Sequence, residues 1–304
     1  MDPVIRVLDE AHGPDWTLYR GDCVDVTRQL PDACVDLALY SPPFANLYTY
    51  SDSERDMGNA EDDAQFFEHY RYLVSELYRA LRPGRLCLVH CKDLVNYKGR
   101  DGMAGLRDFP GELIRLHQEA GFAFHSRVTI WKCPVTEMQR TKAHGLLYSQ
   151  LRRDSTFSRQ GMAEYLLGFR KWAKSDEDEA KVAAVTHTPR GFTLNQWQEW
   201  ASPVWMDIRQ THVLNVEVAR EDRDEKHMCP LQLDVIERAV TLWSNPGDTV
   251  FSPFAGIGSE LVGALQLGRK ALGVELKESY FRRGVLNLRG HGKQLGLFGA
   301  AAGA

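Results

Sequence analysis

The stretch Asp248-Thr249-Val250-Phe251-Ser252-Pro253-Phe254-Ala255-Gly256-Ile257-Gly258-Ser259-Glu260 decides the fold. Thr249-Val250-Phe251 is a short β-branched and aromatic run between Asn245-Pro246-Gly247 and a segment carrying a Pro and two glycines. It reads as a strand entering a Gly-rich turn, followed by a helix over Ser259 to Leu267. Glycines at 256 and 258 let the backbone approach a ligand closely, and the helix start offers free N–H groups. Seventeen residues past Gly258, the next strand, Ala271-Leu272-Gly273-Val274, ends in Glu275. A carboxylate there can take both hydroxyls of a ribose, so the unit reads as a nucleoside site. Two commoner Gly-rich motifs fail on spacing. No Lys follows Gly258 as a P-loop requires, and Leu261 stands where a GxGxxG fingerprint needs its third Gly.

The flanking sequence repeats the strand–helix alternation. Val35-Asp36-Leu37-Ala38-Leu39-Tyr40 reads as a strand that stops at Ser41-Pro42-Pro43, because prolines cannot donate to a ladder. Phe66, Tyr70, Leu73, Val74, Leu77, Tyr78 and Leu81 recur at helical spacing up to Arg82-Pro83-Gly84. Leu86 to His90 reads as a short buried strand, Pro110 to Ala120 as a helix closed by Gly121, and Phe122 to Trp131 as a strand. From about Cys133 to Pro203 the pattern loosens, with one clear strand at Tyr165-Leu166-Leu167-Gly168-Phe169. Order returns with a helix from Leu231 to Trp243. The expectation is an open α/β sheet with halves at 1–132 and 206–290, a module inserted at 133–205, and a flexible Gly/Ala-rich tail at 291–304.

The 304 residues are 43% hydrophobic and 26% charged, with 25 Gly and 13 Pro, which excludes disordered, collagenous and low-complexity classes. No apolar run approaches the roughly 18–20 residues that cross a bilayer. Met1-Asp2-Pro3-Val4-Ile5-Arg6 lacks the pattern of a secretory signal. Six Cys without a CxxC pair predict reduced, buried thiols and a cytoplasmic location. Cys87, His90 and Cys91 are poor candidates for zinc, since the two Cys lie at opposite ends of one strand with no fourth ligand nearby, and no metal is expected.

Ser41-Pro42-Pro43-Phe44 stands at the carboxyl end of its strand, where open α/β sheets place their sites. The prolines fix φ, so the Ser41 hydroxyl and the Pro42 carbonyl are held as rigid acceptors beside the flat face of Phe44. Acceptors plus a stacking ring suit a planar heterocycle with an exocyclic amino group.

In this order, the two constellations resemble the amino-methyltransferases that modify DNA, and specifically the circularly permuted β class, in which the catalytic motif precedes the cofactor motif. The resemblance covers nearly the whole chain. Gly21-Asp22, Leu30-Pro31-Asp32 and Val35-Asp36-Leu37 look like the lead-in to the catalytic strand, and Trp131-Lys132 like the end of the strand before the target-recognition region. Lys226-His227 with Pro230-Leu231-Gln232 looks like the motif opening the cofactor half, and Asn245 through Glu275 like the cofactor turn. The family usually has Asp, Ser and Thr where Ser252, Ile257 and Ser259 stand here; a hydroxyl at 252 can still accept a hydrogen bond.

The resemblance implies a Rossmann-like class I methyltransferase sheet with an inserted target-recognition module, and S-adenosylmethionine as cofactor. The cofactor would lie over Phe254, Gly256 and Gly258, near Ser252, with Glu275 on the ribose, Asp22 near the adenine, and Lys226 and His227 at the methionine end. A flipped base would stack on Phe44 and present its amino group to Ser41 and the Pro42 carbonyl, with Pro43 completing the rigid turn. Ser before Pro-Pro resembles the cytosine-N4 members, while Asp or Asn there is commoner in adenine-N6 members. Carbon-5 chemistry is excluded, because no Pro is followed by Cys.

The net charge is −4, yet Met138 to Lys174 carries eight cations against Asp154 and Glu164, a local charge of +6. Arg140, Lys142, Arg152, Arg153 and Arg159 are the candidate phosphate contacts to double-stranded DNA, with a solvated basic face as the alternative. Trp197, Trp200 and Trp205 fit a small-domain core better than a DNA surface. Gln294-Leu295-Gly296-Leu297-Phe298 resembles the peptide with which bacterial DNA-processing proteins dock on the replication sliding clamp, provided the tail is mobile. The expected setting is a bacterial or phage-encoded, nucleoid-associated enzyme, with or without a restriction partner. The competing readings are a small-molecule or RNA methyltransferase, which the long basic insert disfavours, and a non-catalytic DNA-binding protein on a methyltransferase scaffold.

Overall fold

The computed structural model describes residues 6–43, 63–141, 146–214 and 230–299. The chain begins with β1 (Asp9–Gly13), β2 (Trp16–Arg20), α1 (Cys23–Gln29), β3 (Val35–Tyr40), α2 (Asp63–Ala80) and β4 (Leu81–Lys92). A small hairpin of β5 (Leu94–Asn96) and β6 (Gly105–Arg107) brackets α3 (Lys98–Asp101), before α4 (Phe109–Glu119) and β7 (Ala123–Ile130). Next come α5 (Pro134–Thr141), α6 (Tyr148–Arg153), β8 (Glu164–Arg170), α7 (Asp176–Ala180), α8 (Leu194–Trp200) and β9 (Val204–Trp205). The last part holds α9 (Leu233–Trp243), β10 (Thr249–Ser252), α10 (Ser259–Gln266), β11 (Lys270–Glu275) and α11 (Glu278–Gly299).

Among the described residues these strands form a nine-stranded sheet in the order β1-β2-β11-β10-β3-β4-β8-β7-β9. The run β2-β11-β10-β3-β4 is parallel throughout, while β8 lies antiparallel to both β4 and β7. Helices cover both faces, so the central strands are buried on both sides; all six residues of β3 are buried. Tyr40, Phe66, Tyr70, Phe109 and Phe169 fill one face beneath α2 and α4. Leu37, Leu39, Leu88, Leu166, Val235, Ile236 and Ala239 fill the other, beneath α9.

At the amino-terminal edge of the parallel strands, Arg85 is buried and its Nη1 donates to Asp248 at 2.9 Å. Arg82 Nη1 lies 2.8 Å from Asp36 Oδ1, and Asp36 Oδ2 accepts the Thr249 N–H at 3.0 Å. One charge network therefore fixes the register of β3, β4 and β10, the three strands that carry the site at their other ends. Removing one partner from such a buried set costs about 3–5 kcal/mol.

Three sequence expectations change. The strand Tyr165–Phe169 does not belong to a separate module: as part of β8 it sits between β4 and β7 in the main sheet. The segment 133–205 therefore leaves the sheet twice and returns twice, the second time as β9 beside β7. Its end packs onto the main core: Trp205 is buried, Trp205 Nε1 donates to Trp200 O at 3.0 Å, and Arg238 of α9 lies over both rings. Trp197 is exposed. The strand expected over Leu86–His90 runs from Leu81 to Lys92. Finally, the backbone from 291 to Gly299 is helical and continues α11. The side chains on which the clamp-docking resemblance of Gln294 to Phe298 rests lie outside the described residues.

Candidate active site

The carboxyl ends of the parallel strands share one edge. There the helices switch faces: β10 leads into α10 on one side of the sheet, and β3 leads toward α2 on the other. Open α/β sheets bind ligands at such a switch point.

On the β10 side the turn carries a set of fixed backbone bonds. Ala255 N donates to Val274 O at 2.8 Å, Gly258 N to Ala255 O at 2.7 Å, and Asn287 Nδ2 to Ile257 O at 2.8 Å. Gly256 (φ +53°) and Gly258 (φ +87°) both occupy the left-handed region, yet they serve different ends. A Cβ on Gly256 would point into open space, whereas one on Gly258 would meet Gly284 Cα of α11 at 3.6 Å. Gly256 is thus the position that leaves room for a ligand, and Gly258 is where turn and helix pack. The Ser252 hydroxyl is fully buried at the end of β10 without a partner among the described residues.

Glu275 closes this half. Its Oε2 accepts the Gly256 N–H and its Oε1 the Lys277 N–H, both at 2.8 Å. Gly21 N donates to Glu275 O at 3.1 Å, so the Gly21-Asp22 turn after β2 stands beside it. Asp22 Oδ1 caps α1 by accepting from Val24 N and Asp25 N, each at 2.9 Å. Behind the turn, burial pushes the Glu260 carboxyl up to about 8, with the Glu275 charge adding to the effect. A carboxylate in the first turn of α10 also suits the helix dipole, and nothing in the spacing of Glu260 signals that it is buried.

On the β3 side, Tyr40 and Phe254 join the halves, with ring centroids 5.8 Å apart. Tyr40 Oη lies 2.8 Å from Tyr70 Oη and 3.4 Å from His117 Nε2. Ser41 follows directly. Its Oγ is 2.9 Å from His90 Nδ1; His90 Nε2 is 3.0 Å from Glu164 Oε2; and Lys132 Nζ is 2.6 Å from the same oxygen. Burial opposes ionisation of Glu164, but the His90 hydrogen bond and the Lys132 charge hold its carboxyl well below the usual range.

Sequence reasoning missed this row, although its signal was present. Leu37-Leu39-Ser41, Leu86-Leu88-His90, Val128-Ile130-Lys132 and Glu164-Leu166 alternate at period two, which places the four polar residues on the α9 face with those leucines. Cys87 and Cys91 point to the opposite face, into the aromatic core.

Of the candidate phosphate contacts, Arg152 and Arg153 are exposed in the last turn of α6, and Arg159 Nη1 donates to Gln160 O at 3.0 Å. Elsewhere the basic segment is partly structural: Lys171 Nζ donates to Leu81 O at 2.7 Å, and Arg170 stacks on Trp172. Phe44, Lys142, Lys226 and His227 lie outside the described residues, as do the side chains of Arg140, Gln294, Leu295, Leu297 and Phe298.

Comparison with known proteins agrees with this geometry. Residues 35–285 match the DNA methylase family N6_N4_Mtase. The chain belongs to that family. It is 25% identical over 265 residues to the type II methyltransferase M.BamHI of Bacillus amyloliquefaciens, covering 85% of this chain and 54% of the relative. It is 23% identical over 264 residues to M.BglII of Bacillus subtilis, covering 86% and 66%. The chain thus spans about half to two thirds of the length of these relatives. The fold matches a putative DNA modification methylase from Thermus thermophilus, solved with S-adenosyl-L-methionine, at a TM-score of 0.66 and 22% identity, covering 90% of this chain and 93% of that one. Among the described residues, no helix is long and apolar enough to cross a membrane.

Proposed function

We propose that this protein is a DNA amino-methyltransferase acting with S-adenosylmethionine on the exocyclic amine of a base turned out of the duplex, cytosine N4 in preference to adenine N6. One observation carries the reading: the Gly256 turn and the Ser41-Pro42 turn occupy neighbouring strand ends at the switch point, joined through Phe254 and Tyr40. Family membership and the type II names of its relatives support a role in DNA modification, and the chain order, with β3 before β10, supports the permuted arrangement.

The residues present fit the cofactor. Gly256 leaves space that a Cβ would fill, and Ser252 offers a buried hydroxyl with no partner among the described residues. Glu275 would take the ribose, Asp22 would lie near the adenine, Phe254 would supply an apolar wall, and Lys226 and His227 would flank the methionine end. When bound, S-adenosylmethionine supplies an electrophilic methyl group on a sulfonium.

The chain's task is then to prepare the amine. An aromatic amine is a poor nucleophile because its lone pair is delocalised into the ring. Ser41 Oγ and the Pro42 carbonyl accept its two N–H groups, which draws the nitrogen toward tetrahedral geometry and frees the lone pair. Pro42 and Pro43 keep those acceptors rigid, so little reorganisation is left for the reaction. Phe44 would stack the base. Arg140, Lys142, Arg152, Arg153 and Arg159 would hold phosphates, leaving base reading to other side chains in 133–205.

The deciding experiment is mass spectrometry of nucleosides from DNA incubated with the protein and methyl-labelled S-adenosylmethionine. Labelled N4-methylcytosine is expected. Labelled N6-methyladenine would overturn the choice of amine, a reading that rests on Ser41 alone. Binding of DNA and cofactor without product would favour the non-catalytic reading suggested by Ser252 and Ile257.

A further inference from the structure

We propose that His90, fixed by Glu164 and Lys132, is a positioning residue that sets the direction of the Ser41 hydroxyl and so makes Ser41 an acceptor for the target amine. The inference deepens the reading of Ser41 given above and rests on it.

The geometry assigns the protons. Glu164 is ionised and has no hydrogen to give, so the 3.0 Å contact requires His90 Nε2 to be the donor. Lys132 Nζ pairs with the same carboxylate oxygen at 2.6 Å, so Glu164 has a cation beside it whichever form the imidazole takes. A neutral ring protonated at Nε2 has a bare Nδ1. In that tautomer, the one the proposal requires, Ser41 donates the 2.9 Å contact at Nδ1.

The consequence lies in what Ser41 has left. A hydroxyl owns one hydrogen and two lone pairs, and its hydrogen rotates to suit its surroundings. With the hydrogen committed to His90, both lone pairs are available to an incoming N–H. Without His90, the hydroxyl is free to turn its hydrogen toward the base, where donor would meet donor. An imidazolium at position 90 would donate Nδ1–H into one Ser41 lone pair and leave the hydroxyl hydrogen free to turn toward the base.

A Ser–His–acid row also suggests a hydrolase triad, but the connectivity is reversed. In that triad Nε2 faces the serine and Nδ1 the acid. In addition, Pro42 follows Ser41 and has no N–H to help form an oxyanion hole. The row orients an acceptor; it does not arm a nucleophile.

The placement of the row also explains a feature of the topology. Ser41 extends β3, His90 lies in β4, Glu164 opens β8, and Lys132 follows β7. Four adjacent strands each contribute one polar side chain where their apolar columns end. The return of β8 into the sheet is what brings Glu164 to His90.

The test is single-turnover methylation by the full chain, with cofactor affinity measured separately, for Ser41→Ala, His90→Leu, His90→Asn and the double variant Ser41→Ala/His90→Leu. His90→Leu is expected to lower the methylation rate about 10- to 100-fold with cofactor affinity unchanged. His90→Asn places an amide oxygen near the position of Nδ1 and is expected to recover much of that loss. The double variant is expected to be no slower than Ser41→Ala, because His90 acts only through Ser41. Losses that multiply in the double variant, or a His90→Leu defect that appears in cofactor affinity, would overturn the proposal. If Ser41→Ala is slow while His90→Leu is fast, the positioning role falls and the reading of Ser41 stands. If Ser41→Ala is itself fast, both fall. Should His90→Leu fail to fold, Glu164→Ala supplies the comparison with the imidazole retained and the acceptor for its Nε2 removed: unchanged methylation in that variant would also overturn the proposal.

Discussion

Phe254, on the turn that leaves β10, packs its ring against Tyr40, the last residue of β3, with centroids 5.8 Å apart and planes tilted by 50°. The two residues stand 214 positions apart in sequence, yet their contact holds the Gly256 turn next to Ser41. Tyr40 is itself fixed from behind by Tyr70, whose ring stacks on Phe66. The relative placement of the two half-sites is therefore a property of the aromatic core, and it does not depend on either turn alone.

This division predicts separable losses. Ser41→Ala and Phe44→Ala are expected to lower turnover at least about tenfold, the scale of removing one or two interactions from a preorganised site. Cofactor affinity should stay within about twofold. Radiometric methylation and calorimetric titration with S-adenosylmethionine measure the two quantities. Normal methylation by either variant would remove that residue from the proposed site.

The glycines give a sharper contrast. Gly256→Ala puts a methyl group into the space left for the cofactor, and the left-handed backbone adds about 1–2 kcal/mol of strain. Gly258→Ala carries similar strain, but its methyl group would rest in ordinary van der Waals contact with Gly284. Both should therefore lower Tm, while only Gly256→Ala should also weaken cofactor binding directly. Glu275→Ala should weaken it too, and by more than Glu275→Gln, which keeps one carbonyl for the Gly256 or Lys277 N–H. Equal cofactor affinity in Gly256→Ala and the parent protein would count against the cradle.

Much of this was legible from sequence. The spacing around Gly256 and Glu275, the Pro pair that ends β3, and the helical period over 66–81 each follow from local backbone chemistry, and the corresponding elements form within a helical turn of their expected ends. What escaped depends on pairing across the sheet. Tyr165–Phe169 looks alike whether it sits in a module or in the main sheet, because its neighbours β4 and β7 lie well upstream, at Leu81–Lys92 and Ala123–Ile130. Cys87 and Cys91 are the neighbours that sequence proximity suggests for His90, but they face the other way. Its actual partners, Ser41 and Glu164, are 49 and 74 positions distant.

Glu260 predicts a pH dependence of folding. Burial holds its carboxyl at about 8 in the folded protein, against about 4.3 for an unperturbed Glu. Between those values the folded state binds the extra proton, so stability falls as pH rises from about 4.5 to 8. Glu260→Gln is neutral throughout and lacks this loss. In denaturant titrations without cofactor, the stability of Glu260→Gln relative to the parent should therefore rise across that window by a few kcal/mol at most. A constant difference between the two proteins would mean that Glu260 is ionised in the folded state.

Arg152 and Arg153 test whether the basic segment meets DNA. They close α6 with both side chains exposed, beside exposed Tyr148 and Phe157, while Lys171 and Arg170 of the same segment are engaged within the protein. If the pair contacts phosphates, neutralising both releases fewer counterions on binding. The slope of log affinity against log salt should then flatten by about 0.9 for each phosphate no longer neutralised. Arg152→Gln/Arg153→Gln should thus weaken binding to every DNA sequence alike at low salt, and the gap from the parent should narrow as salt rises. The same change in Lys171 should instead reduce stability, because its ammonium caps the carbonyls that end α2 and open β4. Fluorescence anisotropy across a salt series reads the slope directly. A slope unchanged in the Arg152/Arg153 variant would show that α6 is a solvated basic face and that the duplex lies elsewhere.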